Sequence, residues 1–428
     1  MKIKSIVFLC LVLAGPLRAE PPQYALQDGD TVVFLGDSIT AAGGYTKIVE
    51  HYTVMRYPQR KVRFINAGQG GDTASAAVDR LERDVFQQGA TVVTVAFGIN
   101  DIGWGTKANA ETKQQYLNGI RTIIERCRER NVRPVICSPS ITAEDPHAAE
   151  RGFLAAMADE GRDLAQSMGA KTIDLQREMR QIHRSILAAN AAEPDQTKHS
   201  SLHAADGVHL TDLGQLAMAC GMIKGLGIPQ ILSKASMDNA SLTSFAKQGC
   251  TITELQRTDD GLSFVRLDDG LPLNLGIFSG LNHRFVPMPD LGRYELKIVN
   301  LPEGEYEIAA CGRKIGRETA AALAEGVNLA SMTLNGWEPG GLWNAQSNAV
   351  KEYIDARDKL WAGGVIRDRF MKPHPELPAL VSEARALDEQ LTALIRHTAR
   401  PVPYAMTVTK VVPPAGLKEK AAGGLKGP

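Results

Sequence analysis

Residues 32–40 decide the fold and read Val-Val-Phe-Leu-Gly-Asp-Ser-Ile-Thr. The first four are an apolar run that is typical of a buried strand in a parallel sheet. Because the run stops at Gly36, we predict that Ser38 lies at the carboxyl end of a central strand, where α/β sheets bind ligands. Ser38 is therefore a candidate nucleophile. The alternative is that Ser38, which follows Asp37 before a helix, only caps that helix.

Strand-like and helical patterns alternate along the chain from this stretch to residue 226. Apolar strand-like runs occur at 61–66, 91–97, 133–138 and 171–175, and amphipathic helical spacing occurs at 45–57, 74–88, 109–130, 148–168 and 210–226. Strands that alternate with helices form βαβ units, so we predict an α/β fold with a parallel sheet and helices on both faces.

Four short stretches are predicted to meet at one edge of this sheet. They are Gly-Asp-Ser at 36–38, Gly-Asp at 71–72, Gly-Ile-Asn-Asp at 98–101 and Asp-Gly-Val-His at 206–209. In this order the stretches resemble the signature blocks of the SGNH (GDSL-type) hydrolase and esterase family, of the exported bacterial type. The resemblance covers about residues 30–226. It implies a flavodoxin-like three-layer α/β/α fold and the activity of a carboxylic ester hydrolase.

A serine hydroxyl is a weak nucleophile unless a base accepts its proton, and His209 is suited to that role near neutral pH. Asp206 precedes His209 by three residues, a spacing that lets its carboxylate hold the other ring N–H. His199 and His203 have no acidic residue three positions before them, so we prefer His209 as the base. Ser38, His209 and Asp206 are thus predicted to form a catalytic triad.

The oxyanion of an acyl-transfer intermediate needs hydrogen-bond donors. The family resemblance assigns this role to the backbone N–H groups of Ser38 and Gly71 and to the side-chain amide of Asn100. Glycine suits position 71 because a side chain there would crowd the substrate.

Three aspartates lie inside the same motifs, at Asp37, Asp72 and Asp101. We interpret them as structural residues that hold the loops through cap and turn hydrogen bonds. Asp37 is also a candidate for substrate binding, since it adjoins the predicted nucleophile.

Other site classes find no support in the sequence. No Gly-x-Ser-x-Gly elbow surrounds Ser38, which argues against the α/β-hydrolase fold. Zinc, phosphate-loop and dinucleotide motifs are absent, so we predict neither a metal nor a cofactor. The formal net charge is zero and no basic run is interleaved with aromatics, so nucleic acid is not an expected partner.

Residues 1–19 read as a secretory signal peptide, with Lys2 and Lys4 before an apolar run and a cleavage site near Ala19. We therefore expect a periplasmic or secreted protein. Cys10 lies inside the apolar run and not at the cleavage point, which argues against a lipid anchor. No later stretch approaches about 20 apolar residues, so no membrane segment is expected after the signal is removed.

The remaining cysteines are odd in number and widely spaced, which does not describe a disulfide framework. We interpret them as buried thiols and leave open one bridge, between Cys127 and Cys137.

Beyond the catalytic domain, predicted at 20–235, the pattern changes. Short alternating segments predict a small antiparallel β domain at 236–315, in which 294–299 and 306–310 form a hairpin. Helical patterns return at 316–412 and predict a segment that packs on the catalytic domain. Residues 413–428 are rich in Gly, Pro, Lys and Ala and are predicted to be a disordered tail.

An aromatic, glycine-rich stretch at 336–344 contains Trp337 and Trp343. Both indoles are candidates to stack on a sugar ring, because tryptophan combines a flat apolar face with a polar N–H. A purely structural loop is the alternative, and we favour it.

We therefore predict a secreted serine esterase that forms an acyl-enzyme and removes acetyl groups from a carbohydrate. The expected partner is an ester substrate, such as an acetylated oligo- or polysaccharide. A lipase, a thioesterase or an acyltransferase would use the same triad. An inert glycan-binding protein is the alternative outside catalysis, although such a protein has no need of a nucleophile, an oxyanion donor and a base together.

Overall fold

A five-stranded parallel sheet forms the centre of the N-terminal part of the chain, with strand order β2-β1-β3-β4-β5. The computed structural model describes residues 24–274, 284–332, 342–372 and 374–412. The strands are Thr31–Gly36 (β1), Arg63–Gly68 (β2), Val92–Ala96 (β3), Arg133–Cys137 (β4) and Lys171–Ile173 (β5). This order is the flavodoxin-like one. The prediction of a parallel α/β sheet is confirmed.

Helices cover both faces of the sheet. Alternate residues of β1 point to opposite faces, so that Val32 and Phe34 join one core while Val33 and Leu35 join the other. The helices are Ser38–Ala41 (α1), Gly44–Arg56 (α2), Ala110–Glu129 (α3), Pro146–Ala149 (α4), Phe153–Ser167 (α5), Leu175–Ala192 (α6) and Asp212–Gly225 (α7). Helices α2, α6 and α7 pack together, as do α3 and α5. The architecture is the predicted three-layer α/β/α arrangement.

The predicted helix at 74–88 is not continuous. A 3-10 helix at Ala76–Arg80 is followed by a π-helical turn at Glu82–Phe86. The side chain of Arg80 is buried and donates to the carbonyl groups of Gly36, at the end of β1, and Ala67, next to the end of β2. The irregular helix makes room for these contacts of Arg80. The spacing of hydrophobic residues in the sequence does not reveal them.

Two further sheets follow and together form the β module. The first has the order β13-β10-β6-β7, from Ile231–Asp238 (β6), Thr243–Gln248 (β7), Arg293–Val299 (β10) and Val327–Asn328 (β13). The second has the order β12-β11-β14-β9-β8, from Cys250–Thr258 (β8), Gly261–Asp268 (β9), Glu305–Ala310 (β11), Arg313–Thr319 (β12) and Tyr404–Lys410 (β14). All of their pairings are antiparallel except that of β10 with β6.

The predicted hairpin between 294–299 and 306–310 is wrong. Strands β10 and β11 lie in different sheets, because β10 pairs with β6 and β13 whereas β11 pairs with β12 and β14. The loop between them therefore crosses from one sheet to the other. Strand alternation alone does not specify the partner that a strand will take.

The segment predicted as helical, 316–412, holds Ala320–Glu325 (α8), Leu342–Phe370 (α9) and Leu377–Thr398 (α10). It also contributes β14 to the β module, a strand that we did not predict. Helix α9 packs on α2 of the parallel-sheet domain, where Arg357 forms a buried ion pair with Glu50. Lys47 of α2 adds an ion pair with Asp355 at 2.9 Å.

A buried arginine joins the two sheets of the β module. Arg266 in β9 is fully buried, and its Nε lies 3.0 Å from Oδ1 of Asp268. Its Nη2 donates to the hydroxyl of Ser233 in β6 at 2.7 Å, and the hydroxyl of Tyr404 in β14 donates to Oδ2 of Asp268 at 2.5 Å. The returning strand β14 is thus tied to the module by polar contacts as well as by the sheet.

The five cysteines within the described ranges are free thiols, so the bridge between Cys127 and Cys137 does not form. In these same ranges, no helix has the length and apolar character needed to cross a membrane. The predicted signal peptide at 1–19 and the predicted tail at 413–428 lie outside the described residues.

Candidate active site

A sharp turn at the end of β1 presents Ser38 at the edge of the sheet. Asp37 is the N-cap of α1 and accepts the backbone N–H of Ile39 at 2.9 Å, which makes Ser38 the first helical residue. A Cβ atom at Gly36 would lie 2.1 Å from the hydroxyl oxygen of Thr40, so the turn requires glycine. The prediction that Ser38 lies at the carboxyl end of a central strand is confirmed.

The loop before α7 brings His209 and Asp206 to Ser38. Nε2 of His209 lies 2.9 Å from Oγ of Ser38, and Nδ1 lies 2.6 Å from Oδ2 of Asp206. Oδ1 of Asp206 accepts the backbone N–H groups of Val208 and His209, each at 2.9 Å. With the Nδ1 proton donated to Asp206, Nε2 is left to accept the proton of Ser38.

The carboxylate of Asp206 is held in its charged form. The hydrogen bonds from the His209 side chain and from two backbone N–H groups lower the pKa of Asp206 to about 2. The other two histidines contact backbone carbonyl groups instead. Nε2 of His203 lies 3.0 Å from the carbonyl oxygen of Ile141, and Nε2 of His199 lies 2.8 Å from the carbonyl oxygen of Glu193. Of the three candidate histidines, His209 is the one hydrogen-bonded to Ser38.

The residues predicted for the oxyanion hole also lie at this edge. The side-chain amide of Asn100 donates to the backbone carbonyl of Asp72 at 3.0 Å, and its oxygen accepts the indole N–H of Trp104 at 2.8 Å. An amide nitrogen carries two protons, so one N–H of Asn100 remains available. The backbone N–H groups of Ser38 and Gly71 donate to no other described residue.

Gly71 adopts a left-handed backbone conformation, with φ of 75°. No protein atom lies within 4 Å of the position that its Cβ would take. The open space agrees with the expectation that a side chain would meet substrate and not protein. The positive φ is a second reason for glycine, which the sequence did not reveal.

The three aspartates of the motifs stabilise the loops through hydrogen bonds to neighbouring residues. Asp72 is paired with Arg80, whose Nε lies 2.7 Å from its Oδ2, and Asp101 accepts the backbone N–H of Ala74 at 3.0 Å. Burial raises the pKa of Asp37 to about 6 and that of Asp101 to about 7. Asp37 is only 5% exposed, so its contacts favour the structural interpretation over substrate binding.

Of the two tryptophans that were candidates for substrate binding, the structure describes one, and it lies away from the site. Trp343 does not reach the site, because its side chain is 3% exposed and its ring packs against Tyr404 at 5.5 Å. The structural alternative that we favoured applies to it. Trp337 lies outside the described residues.

Sequence reasoning missed Trp104. Its indole is 48% exposed and stands edge-on to the ring of His209, with 5.6 Å between the ring centroids. The residue has a left-handed backbone, with φ of 56°, which turns the side chain back over the Asn100 motif. Its position three residues after Asp101, in the same loop, was the one signal that pointed to it.

Comparisons with known proteins agree with this geometry. Residues 34–217 match the GDSL-like lipase/acylhydrolase family. The chain is 28% identical over 154 residues to an uncharacterized lipoprotein, YqeF, of Bacillus subtilis (strain 168), a match that covers 34% of this chain and 61% of that protein. It is 32% identical over 89 residues to an acetylxylan esterase of Geobacillus stearothermophilus, a match that covers 17% of this chain and 41% of the esterase. The chain thus spans less than two thirds of the length of either relative.

One solved structure resembles nearly the whole chain. It is described as a gut microbial diltiazem-metabolizing enzyme, and it superposes with a TM-score of 0.74 over 91% of this chain and 100% of its own. The sequence identity is 22%, so this likeness concerns the fold alone. The arrangement of a parallel-sheet domain, a β module and C-terminal helices therefore occurs in another protein.

Proposed function

We propose that this protein is a serine esterase that hydrolyses carboxylic esters through an acyl-enzyme. The match of residues 34–217 to the GDSL-like lipase/acylhydrolase family supports the proposal. One observation carries the proposal: the hydrogen-bonded series from Asp206 through His209 to Ser38. A nucleophile, a base and a residue that orients the base are thereby within hydrogen-bonding distance of one another.

The reaction begins when the Ser38 hydroxyl attacks the ester carbonyl carbon while Nε2 of His209 accepts its proton. Asp206, ionised at any working pH, stabilises the imidazolium. The N–H groups of Ser38, Gly71 and Asn100 donate to the oxyanion of the tetrahedral intermediate. Collapse expels the alcohol, which takes the proton from His209, and leaves an acyl group on Ser38.

Water then completes the cycle. His209 accepts a proton from a water molecule that attacks the acyl carbonyl carbon, and a second tetrahedral intermediate forms. This intermediate collapses to release the carboxylic acid and returns the proton to Ser38. An acyltransferase would differ only in that a sugar hydroxyl replaces the water.

An acetyl group on a carbohydrate is the substrate that we favour. The site is open, since the side chains of His209 and Asp206 are each 38% exposed and Trp104 is exposed beside them. Such a site admits a bulky alcohol, and an indole next to the base offers a face for a sugar ring. The relative from Geobacillus stearothermophilus that acts on acetylxylan by name supports the same class. Residues 1–19 further suggest that the protein acts in the periplasm or outside the cell.

Hydrolysis of acetylated xylooligosaccharides, compared with 4-nitrophenyl esters of increasing acyl length, tests the proposal. We expect acetyl esters to be preferred and Ser38→Ala to lose about a thousandfold or more in kcat/KM. Ser185→Ala removes an exposed hydroxyl from α6 and should leave the rate unchanged. A preference for long acyl chains would exclude the carbohydrate substrate in favour of a lipase or thioesterase. Glycan binding with no turnover by the wild type would indicate an inert binding protein.

A further inference from the structure

A cavity of about 230 Å³ is lined in part by Trp104, whose ring also stands edge-on to that of His209. Its wall is mostly apolar and includes Ile99, Ile102, Ile141, Phe153 and Leu154. Such a volume accommodates a group about the size of one monosaccharide unit, and the catalytic steps described above make no use of it.

Two parts of the cavity wall contact His209 or the loop that carries it. Trp104 lines it and also stands edge-on to the ring of His209. The loop at 141–144 forms another part of the wall, and the N–H of Ala143 in that loop donates to the carbonyl of Gly207 at 2.8 Å. Gly207 lies between Asp206 and His209. A substrate whose ester carbonyl is at Ser38 can therefore extend past Trp104 into the cavity.

The cationic group on the cavity wall is the guanidinium of Arg180 in α6. The residue is only 8% exposed, and its Nε is buried without a hydrogen-bond partner. Its Nη2 donates to the side-chain oxygen of Gln176, whose Nε2 in turn donates to the carbonyl of Ser140 at 3.2 Å. Gln176 is itself 2% exposed, so the guanidinium is held in place by a neutral, buried partner.

No carboxylate of the described chain forms an ion pair with Arg180. Asp174, Glu150 and Asp159 act on it only from a distance. Each of these three already has another partner, because Asp174 and Asp159 pair with Arg162 and Glu150 pairs with Arg184. Glu144 also lines the cavity, but it is exposed and does not contact the guanidinium.

A buried charge without a counter-ion costs several kcal/mol, so a buried cation on a cavity wall is a candidate to bind a ligand of opposite charge. Arginine matches a carboxylate in particular, because its planar fork donates two parallel hydrogen bonds to the two oxygens. An apolar wall with a single fixed cation suits a ring that bears one carboxylate, since the ring faces contact the aliphatic and aromatic side chains.

We propose that this cavity binds the carboxylate of a uronic acid, so that the preferred substrate is an acetyl ester of an acidic oligosaccharide. Arg180 is the specificity residue, Gln176 positions it, and Trp104 separates the carboxylate site from the ester site. The inference rests on the proposed esterase function and narrows its substrate class.

Titration of the purified protein with galacturonate and with galactose, by calorimetry, tests the site without turnover. The two sugars differ by a carboxylate in place of a hydroxymethyl group. We expect the wild type to bind galacturonate at least tenfold more tightly than galactose. Arg180→Gln should lose that preference, whereas Arg177→Gln, which removes an exposed arginine from the same helix, should keep it. Equal binding of the two sugars by the wild type, or the same loss in both variants, would overturn the proposal.

Kinetics provide the second readout. The ratio of kcat/KM for acetylated galacturonate oligomers over acetylated galactose oligomers should exceed ten in the wild type and fall to about one in Arg180→Gln. Arg180→Lys, which keeps the charge but loses the fork, should give an intermediate ratio. A wild-type ratio of one overturns the proposal even if no variant folds. If no ester is hydrolysed at all, the esterase function fails, while galacturonate binding still decides whether the cavity is an acidic-sugar site.

Discussion

Two buried arginines, in two regions of the molecule, have opposite surroundings. Arg266 in the β module is paired with Asp268 and bonded to Ser233, and its side chain is fully buried. Arg180 at the catalytic edge has one neutral partner, an unpartnered Nε and a cavity beside it. Under the proposal above, Arg266 stabilises the fold, whereas Arg180 binds a ligand.

Replacing each arginine by methionine tests this comparison through the free energy of unfolding. Arg266→Met removes one member of a buried pair and leaves the Asp268 carboxylate uncompensated, so we expect a loss of about 3–5 kcal/mol in the free energy of unfolding. Arg180→Met removes a buried charge that has no counter-ion, so we expect the free energy of unfolding to stay the same or to rise. Urea unfolding at neutral pH measures both. A large loss for Arg180→Met would mean that Arg180 is structural and would contradict the contrast.

Two carboxylates, Asp268 and Asp101, also differ in how completely their buried oxygens are hydrogen-bonded. Both oxygens of Asp268 accept hydrogen bonds, whereas Oδ2 of Asp101 is buried without a partner. Burial raises the pKa of Asp101 from 3.8 to about 7, so the folded state binds its proton more tightly than the unfolded state does. The contribution of Asp101 to stability is therefore fully present below about pH 4 and falls as the pH rises to about 7.

Asp101→Asn imitates the protonated form and should become more stable, relative to the wild type, as the pH rises through this window. The upper limit is about 4 kcal/mol, at about 1.4 kcal/mol for each pKa unit. Urea unfolding of both proteins between pH 4 and pH 8 gives the difference at each pH. A difference that does not change with pH would show that Asp101 is charged throughout.

Asn100 is the next test of the catalytic edge. Asn100→Ala removes the proposed oxyanion donor, so we expect kcat to fall by about a hundredfold to a thousandfold, which corresponds to about 3 kcal/mol. The control is Asn118→Ala, an exposed amide on α3, which should change neither kcat nor KM. If Asn100→Ala retains the wild-type kcat, then Asn100 is a turn residue and the oxyanion is stabilised elsewhere.

Trp104→Phe is expected to have a smaller effect. The ring remains beside His209, but the N–H that holds the oxygen of Asn100 is lost, so the amide is less well oriented. We expect kcat to fall by about tenfold with little change in KM, since the lost contact acts on the transition state. A rise in KM with unchanged kcat would assign Trp104 to ground-state binding of the substrate instead.

The motifs at 36–38, 71–72 and 98–101 could be predicted because each follows a strand whose apolar run marks its end. The parallel order of the strands then brings Ser38 and Asn100 to one edge of the sheet, and the loop before α7 adds His209. The position of Ser38 after β1 and the three-layer fold both follow from these local patterns.

Contacts that depend on tertiary structure could not be predicted. Strands β10 and β11 alternate as a hairpin does, yet each takes partners far away in the chain. Trp343 resembles a surface residue in a glycine-rich stretch, but it packs against Tyr404. Trp104 reaches His209 because of a left-handed backbone, which a tryptophan rarely adopts and the sequence does not signal. Arg180 was missed because its lack of a partner is a property of the fold.

The most direct test of the serine mechanism is labelling with a fluorophosphonate, which reacts covalently with an activated serine, followed by mass spectrometry of the peptides. We predict one adduct, on the peptide that contains Ser38, and labelling at least a hundredfold slower in His209→Ala, because the base is lost. An adduct on another serine, or ester hydrolysis that persists in a protein whose Ser38 is not labelled, would contradict the account.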